Sequence, residues 1–85
     1  MQVVDVEVPN QLEARVVLEA PMYEDFNGAD CRKTAQKAAI EKIGPANLDK
    51  EEAIFGVNDK GDMVVPGDGQ AATKFRRKYK FRAQI

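Results

Sequence analysis

Few residues of this chain have the type and spacing to do chemistry. Cys31 is the single cysteine and histidine is absent, which removes the commonest general base, nucleophile activator and metal ligand. A lone cysteine also forms no intrachain disulfide and no cysteine-based zinc site. Arg32 and Lys33 follow Cys31 near the start of an expected helix, a setting that can lower a thiol pKa. Cys31 also falls on that helix's apolar stripe, which predicts a buried, inert thiol instead. Glu24-Asp25 and Glu51-Glu52 are adjacent carboxylates, and such neighbours in turns are expected to be solvated. The stretch from Asn58 to Asp62 is acidic around Gly61 but lacks the ligand spacing and terminal glutamate of a calcium loop. Gly67-Asp68-Gly69 is too short to cradle a phosphate, and no clear helix opens after it. These residues predict a protein that is not an enzyme and holds no metal or cofactor.

One constellation stands apart. Lys74, Arg76, Lys78, Lys80 and Arg82 occupy even positions, while Phe75, Tyr79, Phe81, Ala83 and Ile85 occupy odd ones. Alternate side chains of a strand point to opposite faces, so residues 74–85 read as a strand with one apolar face and one cationic face. Arg77 falls on the apolar side near the strand's start. Two explanations need no partner: lysines protect an edge strand against pairing with other chains, or the cations pair with acids on a neighbouring strand. If the last strand lies beside the first, the facing acids are Asp5 and Glu7, two against five. At least three cations then remain unneutralised, spaced about 6.6–6.8 Å apart along the strand, close to the phosphate spacing of an extended nucleic-acid strand.

The elements that must carry this row follow from hydrophobic periodicity. Residues 2–8 place Val4, Val6 and Val8 on one face, and residues 12–20 place Leu12, Ala14, Val16, Leu18 and Ala20 likewise. Parity predicts a hairpin with a three-residue loop, Pro9-Asn10-Gln11, pairing Val8 with Leu12, Val6 with Ala14 and Val4 with Val16. Asp5 is then opposite Arg15. Residues 21–28 connect, with Tyr23 and Phe26 capping the core edge. From Ala29 to Ile43 the spacing is helical: Cys31, Ala35, Ala38, Ala39 and Ile43 share a stripe opposite Lys33, Lys37 and Glu41. Asp30 suits the N-terminal dipole and Gly44-Pro45 stops the helix. A polar turn (46–52) precedes strands at 53–57 and 62–65 around Asn58–Gly61, and 66–70 form a flexible loop before the cationic strand.

The expectation is one α+β domain over residues 1–85, in ββαβββ order, with one helix on a mainly antiparallel sheet. In element order it resembles the β-grasp arrangement of ubiquitin-like proteins, which implies a last strand beside the first and a helix over one sheet face. The chain ends Ala83-Gln84-Ile85, without the terminal glycine pair that conjugation requires, so that activity is not implied. An excisionase-like or plait-type α+β fold remains open.

Net charge is −1 over 85 residues, which gives no bulk affinity for nucleic acid, but the charges are segregated. Residues 1–30 carry seven acids against Arg15, and residues 74–85 carry six bases and no acid. The N-terminus shows no basic leader and no span-length apolar run, so a cytoplasmic, non-membrane protein is expected. The cationic row (Lys74, Arg76, Lys78, Lys80, Arg82) predicts an accessory protein binding a polyanion, nucleic acid foremost, by backbone contacts. Phe75, Tyr79 and Phe81 face the core, so base stacking and sequence readout are not expected. The alternatives are an adaptor or inhibitor docking on an acidic protein, in the general style of phage or plasmid accessory proteins, and a structural domain neutralised internally.

Overall fold

The computed structural model describes residues 1–65, 67, 69 and 71–84. Strands β1 (Gln2–Asn10) and β2 (Glu13–Ala20) form a hairpin; a 3₁₀ turn (Tyr23–Phe26) leads into helix α1 (Ala29–Ile43). Strands β3 (Ala46–Glu51), β4 (Phe55–Val57) and β5 (Lys74–Ala83) follow. The sheet runs β1-β2-β5-β3, with β4 pairing the start of β5, and every pair is antiparallel. This is the α+β architecture of one helix on a mainly antiparallel sheet.

The core forms where the periodicity places it. Ala14, Val16, Leu18 and Ala20 of β2 are buried, and β2 lies beside β5 so that Ala14 meets Phe81 and Val16 meets Tyr79. Helix α1 covers this face with Cys31, Ala35 and Ala39, a stripe of small side chains that lets the helix approach the sheet. Phe26 closes one edge of the core, while Tyr23 stays exposed and meets the Phe75 ring edge-on at 5.9 Å. Gly44, at φ 76°, ends the helix in a conformation open to glycine and donates its N–H to Ile40 O at 2.9 Å. No helix among the described residues is long and apolar enough to cross a membrane.

Three expectations are corrected. The hairpin register is Val6 opposite Val16 and Glu7 opposite Arg15, with irregularities between Val3 and Asp5 and between Glu7 and Asn10. The turn is shorter than the parity rule required: Asn10 pairs with Glu13, and Asn10 Oδ1 accepts the Leu12 N–H at 2.8 Å. A bulge inserts an unpaired residue and so changes parity, which frees Val8 and Leu12 to be exposed. The polar segment after the helix is not a turn but strand β3, whose backbone is held by β5. The strand expected at 53–57 shrinks to Phe55–Val57, and that at 62–65 to one bridge between Val57 and Met63.

Strand order carries the consequence for function. The last strand does not run beside the first: β5 lies between β2 and β3, with β1 at the sheet edge. The adjacency implied by the β-grasp resemblance is therefore not present, and the cationic strand is interior. Of the 66–70 loop, Pro66, Asp68 and Gln70 lie outside the described residues, as does the expected apolar placement of Ile85.

Candidate anion-binding face

With Tyr79 and Phe81 turned toward α1, the alternation of β5 sends Lys74, Arg76, Lys78, Lys80 and Arg82 to the helix-free face. Their neighbours there are not Asp5 and Glu7 but the acids of β2 and β3. Glu19, only 6 % exposed, receives Arg76 Nε at 2.8 Å and Lys74 Nζ at 3.4 Å. Being covered pulls the Glu19 pKa up, but the hydrogen bonds and charges of Arg76 and Lys74 together outweigh this and hold it below the usual carboxylate range. Lys80 Nζ lies 3.3 Å from Glu13 and 3.4 Å from Asp49. Glu13 also holds Arg15 at 2.7 Å. Its desolvation is again overcome by those two cations, so its pKa is lowered too.

Lys78 and Arg82 differ from the other three. Neither has a carboxylate within 4.0 Å among the described residues. Lys78 lies over the Phe55 ring at 5.8 Å, and Lys78 and Arg82 are both exposed. Arg77 serves the opposite side of the sheet: it bridges to Glu51 at 3.2 Å, and Glu51 in turn binds Arg32 of the helix at 3.0 Å. The row read from the sequence thus divides into Lys74 and Arg76, engaged with Glu19; Lys80, shared between two acids; and Lys78 and Arg82, unpaired.

Pairing across strands adds two residues that the sequence reading did not single out. Arg15 of β2 stands opposite Lys80, and Lys50 of β3 stands opposite Lys80 from the other side. Three cations therefore form one line across β2, β5 and β3, perpendicular to the row along β5. With Lys78 they line a shallow concavity of about 450 Å³, flanked by Asp5 and Glu7 of β1 and by Glu52. Arg15 is legible in the sequence as an outward residue of β2, but its position opposite Lys80 depends on a strand order that periodicity does not encode.

Several of the other candidate residues have structural partners. Asp25 Oδ2 accepts the Met22 N–H at 3.1 Å and so caps the 3₁₀ turn. Asn58 Oδ1 accepts the N–H groups of Lys60 and Asp62, closing the β4 turn, and Gly61 at φ 85° takes the left-handed conformation expected there. A Cβ at Gly61 would also meet the Arg76 guanidinium at 2.8 Å. Cys31 is 1 % exposed, its thiol 2.9 Å from Gly28 O. Beside it the Tyr79 hydroxyl is buried with no hydrogen-bond partner among the described residues, and burial pushes its pKa up. No group of three or more potential metal ligands occurs among the described residues. No protein-family model, curated protein or solved structure matches this chain.

Proposed function

We propose that this is a non-enzymatic binding module that holds an extended polyanionic segment, foremost single-stranded nucleic acid, along β5 on the helix-free face. The observation that carries this reading is the line Arg15–Lys80–Lys50 across three adjacent strands. Like charges directly opposite one another destabilise a sheet. Glu13 and Asp49 offset part of that repulsion at Arg15 and Lys80, whereas Lys50 has no carboxylate within 4.0 Å among the described residues. An anion over the line therefore gains most at Lys50. Lys78 and Arg82 extend the cationic track along β5 in steps of about 6.6–6.8 Å, a reach suited to successive phosphates. Tyr79 and Phe81 are buried on the other side of the sheet, so contact is to backbone charge and not to bases. The acids Asp5, Glu7 and Glu52 bank the track on both sides, which favours one extended strand over a duplex. A free thiol suits the reducing cytoplasm, where such a partner is found.

A second reading, an adaptor docking on a protein, is favoured by those same acidic banks. A face that carries both signs complements a protein surface better than it does a bare phosphate chain.

Titration with labelled single- and double-stranded oligonucleotides and with polyglutamate, at low and physiological salt, tests the proposal. With three to four phosphate contacts, log K against log salt should have a slope of about −2 to −3. Lys50→Glu and Arg82→Glu should remove binding without lowering the melting temperature, because neither residue has an ion pair among the described residues. Flat curves for every oligonucleotide at low salt would exclude the nucleic-acid reading, and binding of polyglutamate alone would establish the second.

A further inference from the structure

Asp5, Val17 and Lys78 stand in one row across the helix-free face: Asp5 is opposite Val17, and Val17 is opposite Lys78. Neither Asp5 nor Lys78 has an oppositely charged group within 4.0 Å among the described residues. Within the chain they are two strand spacings apart, roughly 9–10 Å, and do not meet. Between them Val17 is a half-buried apolar residue, flanked along β2 on the same face by Arg15 and Glu19.

We infer that this face is self-complementary and takes a second copy of the chain. A two-fold axis running along β2 and centred on Val17 lays β1 of one copy over β5 of the other. Asp5 of each copy then faces the other copy's Lys78, and the two Val17 side chains meet on the axis. One row further, the same operation sets Glu7 over the other copy's Lys80. It also sets Arg15 against its own equivalent, but each Arg15 already has Glu13 at 2.7 Å and Glu7 at 4.0 Å. That contact therefore joins two compensated groups and not two bare charges.

The expected interface is modest. Under this axis β3 has no strand opposite it, because β1 is the sheet edge. The three overlapping strands, spaced about 4.8 Å with a rise of about 3.3 Å per residue, offer roughly 380 Å² per copy, or about 750 Å² in total, in the range of weak, transient encounters. Twist sets packed sheets about 30° apart, which concentrates contact at the centre, where Val17 lies. Association should accordingly be weak and strongly salt-dependent. It would cover Lys78 and Lys80, so self-association and polyanion binding compete for one face. The two proposals nevertheless rest on different observations: the dimer on the Asp5–Val17–Lys78 row, polyanion binding on the Arg15–Lys80–Lys50 line.

Sedimentation velocity of the wild-type chain and of paired charge reversals at low and high salt tests the inference. The wild type should show a dimer at low salt that dissociates as salt rises. Asp5→Lys and Lys78→Glu should each weaken self-association by more than about tenfold, because each reversal is repeated by symmetry. An equimolar mixture of the two variants should form a heterodimer, and the double variant Asp5→Lys/Lys78→Glu should recover the homodimer. Val17→Arg supplies a second disruption that leaves Asp5 and Lys78 unchanged. A wild type that stays monomeric at low salt, or variants that neither lose association alone nor regain it together, would overturn the inference. The two proposals separate cleanly: Asp5→Lys should abolish the dimer and retain oligonucleotide binding, and Lys50→Glu should do the reverse.

Discussion

Arg76→Ala should destabilise the protein by about 2 kcal/mol, whereas Arg82→Ala, three steps of the alternation further along the same cationic row, should have almost no effect. Arg76 Nε lies 2.8 Å from Glu19, a carboxylate that is 6 % exposed. A hydrogen bond to a charged group contributes about 1.5–3 kcal/mol, and stranding a buried charge costs about 3–5 kcal/mol. Two features hold the loss to the low end. Glu19 keeps Lys74 at 3.4 Å, and it is covered by two cationic side chains at the sheet surface, with solvent just beyond, and not by the apolar core. In a domain of this size about 1 kcal/mol moves the melting temperature by about 4–8 °C, so the expected drop is about 8–16 °C. Arg82 has no ion pair among the described residues, and an exposed substitution of that kind stays within about 0.5 kcal/mol. Thermal and urea unfolding of both variants, with Glu19→Gln completing a double-mutant cycle, measures the coupling directly. Equal melting temperatures for Arg76→Ala and Arg82→Ala would refute the division of the row into engaged and free cations.

Two further outcomes follow from the same geometry. Glu19 and Glu13 both have lowered pKa values, so the stability they contribute is complete above the ordinary glutamate value of 4.5 and is lost as pH falls through their lower folded values. The stability gap between wild type and Glu19→Gln should therefore be constant at neutral pH and close below about pH 4.5; a gap unchanged down to the acid limit would contradict the pairing. Cys31, at 1 % exposure, should react with a thiol reagent much faster in denaturant than in the native state, and equal rates would show that the helix does not bury this face.

Helix α1 was legible because Cys31, Ala35 and Ala39 repeat at helical spacing and a glycine closes the last turn. Strands β2 and β5 were legible because their apolar residues alternate, with one face of β2 buried throughout and Tyr79 and Phe81 buried at the centre of β5. Strand β3 was not. Ala46–Glu51 is an exposed edge strand of weak strand formers, including Asn47 and Asp49, and it is extended because β5 offers it hydrogen bonds. The hairpin register was also hidden, because Asn10 tightens the turn through its own side chain and bulges break the parity that alternation assumes. The candidate site inherits both gaps. Which cations face outward could be read from β5 alone, but which acids answer them depends on strand order. Asp5 and Glu7 gave way to Glu13, Glu19 and Asp49 for that reason, and Lys50 entered the site only once β3 existed as a strand.

The central claim is that the helix-free face, at the crossing of the Arg15–Lys80–Lys50 line with β5, is where a polyanion binds. The most direct measurement is a nitrogen–proton correlation spectrum recorded while a single-stranded oligonucleotide is titrated at low salt. Amide shifts should concentrate at Arg15, Lys50, Lys78, Lys80 and Arg82 and disappear at high salt, while Lys33 and Lys37 on the exposed side of α1 remain still. Shifts centred on Lys33 and Lys37, or a spectrum that does not change at low salt, would contradict the account.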